Sequence, residues 1–420
     1  MAKKKTADKQ KEEELIGLSE EKFKKLELSE TDLEAEEEEL HQKLRDAYFN
    51  IQELLKTYCD LKEDDYNIIT LWIIGTYFHE QFETYPFLFL NAMKGSGKTR
   101  TLKLITKLSK DGEVQASLTE AVLFRTKGTL GLDEFEGITR RGSENLRELL
   151  NTAYKKGTRI KRVKQIKTPE GTQYGIEEFD VYRPIVMANI WGMEEVLGDR
   201  CYYVILERSN NARITKLMEI YENEEIFQKT KELLFSVVKC SVVTVGNVYK
   251  AWNLYVKSHN IDDIYITTLT RNYTKLHKLK SIFRKLYETQ IDGRSLEITF
   301  PLLIIAMEIG DDIVEKTLKI IEEYAKKRRD EQFVESRDVS LIDFISQKVD
   351  DGNWIRISEL TREFKEFIQS NDEFINSKWM GRALKRLNLI KNKKRMSGGI
   401  HVILNIPKAQ KNILMFKDEK

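Results

Sequence analysis

The chain has 420 residues, enough for two to four domains, of which 41% are hydrophobic and 33% charged, as in a globular protein with many surface helices. Lysine and arginine (70) nearly balance aspartate and glutamate (68), so the net charge of +2 favours no class of partner. No run approaches the roughly 18 apolar residues of a membrane helix, and the N-terminus lacks the apolar core of a signal peptide. With three cysteines and no CxxC spacing, these features predict a cytoplasmic protein without a membrane segment.

The first 40 residues hold eight lysines and fourteen acidic residues, a net charge of −6, and their apolar side chains are isolated. So little hydrophobic surface cannot offset the entropy lost on ordering. Residues 1–40 are therefore predicted to be an acidic tail, flexible or singly helical, and the rest of the chain carries +8. Apolar residues at helical spacing then predict a small helical unit over residues 41–84.

A nucleotide site is predicted where the apolar run Tyr85–Leu90 leads into a glycine loop and then into a helical pattern, Thr101–Leu108. The loop matches the P-loop pattern, except that Ala92 stands at the first glycine. Lys98 is expected to reach the β- and γ-phosphates and Thr99 to hold Mg²⁺, while backbone N–H groups surround the β-phosphate. We expect ATP or GTP to be held, with Mg²⁺, by Gly95, Ser96, Gly97, Lys98, Thr99 and Arg100.

Two later apolar strands end in polar residues. Thr129–Leu132 is followed by Asp133 and Glu134, and a third strand ends at Asn189. Asp133 is expected to bind Mg²⁺, Glu134 to polarise the attacking water, and Asn189 to hold that water or the γ-phosphate. An exposed acidic turn is the alternative for the acidic pair, but the paired glutamate favours hydrolysis over phosphoryl transfer to a substrate.

The alternation of strands and helices predicts an α/β domain with a largely parallel sheet over residues 85–210, followed by a helical region over residues 211–335. Near the end of the α/β domain, Arg200 stands between a helical stretch and a new apolar strand. An arginine at such a place can stabilise charge on the γ-phosphate, often in a neighbouring subunit's site. A surface pair with Asp199 is the alternative.

These motifs, in this order, resemble those of AAA+ ATPases. More narrowly, three phrases resemble the AAA+ helicase-like ATPases of plasmids, phages and chromosomal cassettes, which are similar to minichromosome-maintenance helicases. The phrases are Ser117–Arg125, Leu150–Gly157 and Phe300–Ala306. The resemblance covers roughly residues 85–328 and implies a P-loop AAA+ domain with a helical lid.

The resemblance also implies a homo-oligomeric, hexameric ring that hydrolyses ATP between subunits. Asn189 would be the first sensor, and Arg200 the arginine finger acting in trans. Arg294 would be the second sensor, since the minichromosome-maintenance helicases have a similar Arg-x-Leu-Glu sequence. Arg208 competes for that role, and either residue could be an ordinary surface arginine.

A basic segment lies between the acidic pair and Asn189. From Lys155 to Lys167 there are seven basic residues and no acid, and a Pro-x-Gly turn signal follows. A hairpin is the natural interpretation, and in the resembled helicases a hairpin here lines the pore and grips DNA through phosphates. A solvated basic loop is the alternative. The expected DNA contacts are Lys161, Arg162, Lys164 and Lys167.

The last module, residues 340–412, has the order helix, short strand, helix, helix and hairpin, which predicts a winged helix. Ten basic residues and no acid occur from Asn376 to Lys411, and the third helix places its basic side chains opposite its apolar face. Contact with a protein is the alternative. The expected DNA contacts are Lys378, Arg382, Lys385, Arg386, Lys393, Lys394 and Arg395.

The leading hypothesis is therefore a ring-forming, ATP-dependent DNA helicase or translocase for replication of a mobile element or virus. It would act on single- or double-stranded DNA, and a separate primase or polymerase is a possible partner. A non-translocating initiator or loader that binds origin DNA through the winged helix is the second hypothesis. A DNA-binding regulator with an inactive ATP site is disfavoured, because each catalytic position holds a suitable residue.

Overall fold

Two units are distinguished in the computed structural model, residues 1–320 and residues 321–420. Within the ranges that the structure describes, no helix is both long enough and apolar enough to cross a bilayer. The described residues are 30–116, 118–133, 144–168, 171–189, 195–258, 273–335, 337–349, 352–370, 372, 374–397 and 399–414.

Strands and helices alternate through the first half of the first unit, and long helices follow. The strands are β1 (Phe87–Ala92), β2 (Glu113–Gln115), β3 (Leu130–Leu132), β4 (Arg159–Thr168), β5 (Gly171–Asp180), β6 (Ile185–Asn189) and β7 (Cys201–Leu206). The helices are α1 (Glu30–Tyr58), α2 (Glu63–Thr76), α3 (Lys98–Leu108), α4 (Glu120–Arg125), α5 (Glu144–Ala153), α6 (Glu195–Gly198), α7 (Ala212–Lys216), α8 (Glu225–Ser258), α9 (Tyr273–Glu288) and α10 (Gly293–Ile309). Short 3₁₀ turns occur at His79–Gln81 and Tyr221–Asn223, and α11 (Asp311–Glu335) contains the boundary between the units.

The central sheet has five parallel strands in the order β2-β3-β6-β1-β7. Its three middle strands are buried almost throughout, as expected where helices cover both faces of a parallel sheet. The predicted α/β fold with a parallel sheet is confirmed. This strand order places β6 between β1 and β3, so the residues that follow these three strands meet at one edge.

The first helices of the chain pack against helices that follow the sheet. Helix α1 contacts α8 and α10, and α2 contacts α10. A buried hydrogen bond from Asn67 Nδ2 to Thr317 Oγ1, 3.1 Å long, joins α2 to α11. Residues 41–84 thus share the core of the first unit, and α1 begins at Glu30, inside the segment predicted as a tail. The rest of that segment, residues 1–29, lies outside the described residues.

The second unit has the predicted order of elements, with one helix added. It contains α12 (Arg337–Ser346), β8 (Ile355–Arg356), α13 (Ile357–Phe367), α14 (Ser377–Arg386), β9 (Ile390–Met396), β10 (Gly399–Leu404) and α15 (Ile406–Ile413). The strands form an antiparallel sheet in the order β8-β10-β9. Helix α15 was not predicted, although Asn405 caps it and Pro407 stands in its first turn.

A close approach between α3 and β3 provides a test of the packing that holds the nucleotide loop against the sheet. A Cβ atom at Gly131 would lie 2.3 Å from Thr106 Oγ1, and Thr106 is fully buried. We expect Gly131→Ala to lower the free energy of unfolding by about 1–3 kcal/mol, because overpacking forces neighbours apart. Urea denaturation measures this change. Adding Thr106→Ala should restore part of the loss, and a Gly131→Ala protein as stable as wild type would contradict the packing described.

Candidate nucleotide-binding site

The predicted P-loop connects β1 to α3. Gly95 and Gly97 have φ angles of +81° and +80°, a region that side chains with a Cβ rarely adopt. Gly97 is also the N-cap of α3, so the loop turns directly into the helix. The first N–H groups of α3 lack partners within the helix and attract anions.

The residues predicted to act on phosphate and Mg²⁺ lie together at the carboxyl edge of the sheet. Thr99 Oγ1 donates a 2.7 Å hydrogen bond to Asp133 Oδ2. Lys98 Nζ lies 3.5 Å from Asp133 Oδ1, and both side chains are largely buried. A hydroxyl and a carboxylate in contact can hold Mg²⁺, and a lysine beside them can neutralise the charge of a phosphate.

Asn189 completes this group. It is the last residue of β6, between the strands that carry the P-loop and Asp133, and its side chain is 4% exposed. Asn189 lines the same cleft as the P-loop. Glu134, the predicted general base, lies outside the described residues.

The cleft fits a nucleotide. Its volume is about 670 Å³, within the usual range for small-molecule sites. Among the described residues, Ser96 Oγ is buried without a hydrogen-bond partner. Since a buried polar group without a partner is costly, this hydroxyl in the P-loop fits a phosphate oxygen as its partner.

Two further segments line the cleft, and of their residues only Arg208 was considered from the sequence. Tyr58, Cys59 and Asp60 follow from the end of α1, and Arg208 and Ser209 follow β7. Ser209 Oγ donates to Asp60 Oδ2 at 2.5 Å, which joins the two segments. Burial raises the pKa of the Cys59 thiol to about 11, so this cysteine stays protonated and unreactive.

Arg100, predicted as a nucleotide contact, lines the cleft, and its guanidinium bonds to the segment after β7. Its guanidinium donates to Ile214 O at 2.7 Å and to Leu217 O at 2.8 Å, and it lies 3.7 Å from Glu219. Arg100 therefore ties the P-loop helix to the segment after β7. A guanidinium has five N–H donors and can therefore bond to carbonyls at the end of this short helix, where Ile214 O also accepts from the N–H of Leu217.

Arg200 lies at the amino edge of the sheet, opposite the P-loop. It precedes β7, and Phe87, the first residue of β1, donates its N–H to Arg200 O at 3.0 Å. The P-loop begins only after Ala92, and six strand residues span about 20 Å. Arg200 is therefore too far from the P-loop of its own chain to touch a phosphate there.

Arg294 lies beside Arg200 rather than in the cleft. Its guanidinium carbon is 4.8 Å from the centre of the Tyr154 ring, and that of Arg200 is 5.0 Å from the same ring. The competing residue Arg208 does line the cleft. Arg208 therefore lies closer than Arg294 to the P-loop of its own chain, because α10 begins near the amino ends of the strands.

The predicted hairpin exists, but its charge differs from the prediction. Strands β4 and β5 pair antiparallel over ten residue pairs. The acid-free run ends at Lys167, and β5 and the turn supply four acids, so residues 159–180 carry only +1. The side chain of Lys167 and the turn residues 169 and 170 lie outside the described part. The ion pairs are Arg159–Glu178 (3.3 Å), Lys161–Glu178 (3.3 Å), Lys164–Glu177 (3.7 Å) and Arg162–Glu120 (2.7 Å).

One face of the hairpin is apolar and exposed. Val163 lies opposite Ile176, and the next position on this face is Tyr174. These side chains are 71%, 71% and 69% exposed. Exposed apolar groups on a two-stranded hairpin are typical of a surface that contacts another molecule.

In the second unit, one of the residues predicted to contact DNA forms an ion pair within the protein. Arg386 makes a bidentate ion pair with Asp338, with N–O distances of 2.7 and 3.1 Å, and its pKa is raised by that bond. Asp338 precedes the acid-free segment, so local sequence did not show the pair. The six other predicted contacts are exposed: Lys378, Arg382, Lys385, Lys393, Lys394 and Arg395.

Comparison with models of known protein families and with curated proteins gives no match for this sequence. The geometry of the site is therefore the basis for assigning a function.

The positions of two arginines predict different effects on nucleotide affinity. Arg208→Ala should weaken binding of an ATP analogue to single subunits by roughly 10-fold or more, since charge-assisted hydrogen bonds contribute about 1.5–3 kcal/mol. Arg294→Ala, the matched control, should leave that affinity unchanged, because Arg294 lies at the other edge of the sheet. Titration of dilute, monomeric protein measures both. Equal weakening by both substitutions would contradict the assignment.

Proposed function

We propose that this protein is a cytoplasmic, ring-forming AAA+ ATPase that uses ATP hydrolysis to move along DNA, as a helicase or translocase in replication of a mobile element or virus. The observation that carries the proposal is the contact of Lys98 and Thr99 with Asp133, beside Asn189, at one edge of a parallel sheet. These contacts support a P-loop site that binds a nucleotide with Mg²⁺ and hydrolyses it.

The residues predicted to act in hydrolysis have separate roles. Bound Mg-ATP supplies the phosphoanhydride bond that is broken. Lys98 neutralises charge on the β- and γ-phosphates, and Thr99 and Asp133 hold Mg²⁺. Asn189 orients the attacking water, and Glu134 accepts its proton.

The arrangement of the arginines supports an oligomer. Arg200 and Arg294 lie together at the edge of the sheet away from the P-loop of their own chain. If they stabilise charge on a γ-phosphate, that phosphate belongs to a neighbouring subunit. A head-to-tail contact of this kind closes into a ring when the rotation between subunits permits.

The hairpin supports single-stranded DNA as the ligand. Its basic side chains hold acids of the same protein, while Val163, Tyr174 and Ile176 expose an apolar face among them. Aromatic and apolar side chains beside lysines suit stacking on bases together with contact to phosphates. The hairpin would thus grip a strand by bases as much as by charge.

A second candidate is a non-translocating initiator or loader. The exposed basic residues of the hairpin lie beside acids of the same protein, whereas six exposed contacts predicted in the second unit lie in a segment without acids. This contrast favours stable binding of duplex DNA through the second unit, used as a winged helix. The lysines of β9 have an alternative explanation that does not involve DNA. Charged side chains on an edge strand prevent it from pairing with the strands of other molecules.

Strand displacement on forked DNA tests the proposed function. Wild type should displace a labelled strand with ATP, and single-stranded DNA should stimulate its hydrolysis of ATP. Lys98→Ala should lose at least 100-fold of both activities, because one group that stabilises charge at the phosphates is removed. Lys107→Ala is the matched control, since Lys107 is an exposed lysine of the same helix, and it should behave as wild type.

The two candidates differ in outcome. Sequence-specific binding to duplex DNA without displacement would favour the initiator and contradict the helicase. Equal displacement by wild type and Lys98→Ala would contradict both accounts of the site.

A further inference from the structure

Tyr154 lies between the two arginines at the amino edge of the sheet. Both guanidinium groups stand against its ring, at 5.0 Å for Arg200 and 4.8 Å for Arg294. Arg294 also donates a 2.5 Å hydrogen bond to the Tyr154 hydroxyl. The tyrosine is 6% exposed, so its ring is held in place while it contacts both arginines.

Further contacts fix the orientation of each guanidinium. Arg200 Nε donates to Asn151 O at 3.1 Å, three residues before Tyr154. Arg294 contacts Glu297, and the other oxygen of that carboxylate lies 3.5 Å from Lys155 Nζ. Arg200 is thus held by the end of α5, and Arg294 by Glu297, whose carboxylate also contacts the residue that follows Tyr154.

The same segment is the base of the hairpin. Tyr85, just before β1, donates its N–H to Tyr154 O at 2.9 Å, and Lys156 N donates to Glu83 O at 2.9 Å. Gly157 has a φ of +91° and starts the turn into β4. Within five residues the chain therefore passes from the arginine pair to the first residue of the hairpin, Arg159.

We propose that Tyr154 is a positioning residue that holds Arg200 and Arg294 as a pair for the nucleotide of a neighbouring subunit, and links that pair to the hairpin. The inference rests on the proposed function, because it requires the arginines to act in trans. It gives a role to the segment Leu150–Gly157, which contains none of the residues assigned to catalysis.

The physical basis is the ring itself. The buried ring of Tyr154 attracts both guanidinium groups, and its hydroxyl fixes that of Arg294 by a charge-assisted bond. Without the ring, each guanidinium gains freedom, and a displacement of about 1 Å of a catalytic group lowers rate by on the order of 100-fold.

The test compares ATP hydrolysis by Tyr154→Leu, Tyr154→Phe and Arg200→Ala in the full chain with single-stranded DNA. Tyr154→Leu keeps an apolar side chain without the aromatic face and should lower kcat by roughly 10-fold or more, with KM for ATP little changed, since misplacement affects turnover. Tyr154→Phe keeps the face and loses only the hydroxyl, so its kcat should fall by less than that of the leucine variant but remain below wild type.

Mixed oligomers distinguish positioning from a structural effect. Lys98→Ala subunits have an inactive site of their own but intact Arg200, Arg294 and Tyr154. Mixing them with Tyr154→Leu subunits should give more hydrolysis than either protein alone, because each Tyr154→Leu site then receives intact arginines from a neighbour. The mixture of Lys98→Ala with Arg200→Ala is the reference.

The two mixtures distinguish failure of the trans arrangement from failure of the positioning role of Tyr154. If neither mixture regains activity, the trans arrangement of the proposed function is wrong. If the Arg200→Ala mixture regains activity and the Tyr154→Leu mixture does not, the positioning role is wrong. Should the leucine variant not fold, the phenylalanine variant decides: a wild-type kcat overturns the proposal, and a lowered kcat that Lys98→Ala subunits restore supports it.

Discussion

The hydrogen bonds that join β1 to β6 on one side and to β7 on the other set the direction of these three strands, and the positions of the reactive groups depend on it. Because all three run the same way, the P-loop and Asn189 emerge at one edge, and the residue that precedes β7 lies at the other. The cleft and Arg200 are separated by the length of a strand. If Arg200 contacts a γ-phosphate, as proposed, that phosphate must belong to a second copy of the chain, and the proposed ring rests on this polarity of the sheet.

Charge acts more locally than composition indicates. The near neutrality of the chain conceals an acidic first segment and two basic segments, but the structure neutralises one basic segment again through β5. The hairpin therefore exposes basic side chains that are paired with acids, together with an apolar face at Val163, Tyr174 and Ile176. In the second unit, Arg386 is paired with Asp338, and the six other basic side chains predicted to contact DNA are exposed. The two candidate DNA surfaces therefore differ in chemistry, with bases suited to the first and phosphates to the second.

The sequence predicted features whose cause is local, and missed those that depend on distant pairing. Strand, glycine loop and helix follow each other in the chain, so the P-loop and its carboxylate partner Asp133 could be placed from the order of residues alone. The acids of β5 could have been found by continuing the charge count past Lys167. In contrast, the cleft wall at Tyr58 comes from the first helix, about 40 residues before the P-loop, and no local pattern reports that packing. Arg294 was assigned from a resemblance of four residues, which gives no information on the edge of the sheet that α10 faces.

The central claim is that each ATP site is completed by a neighbouring subunit. Particle imaging of the protein with a non-hydrolysable ATP analogue and Mg²⁺ measures this directly, as the distance from the Arg200 guanidinium to the nearest γ-phosphate. The account predicts closed rings in which Arg200 of one subunit lies within hydrogen-bonding distance, about 3 Å, of the γ-phosphate bound to the next. Nucleotide-bound monomers, or rings in which Arg200 faces solvent away from every γ-phosphate, would contradict it.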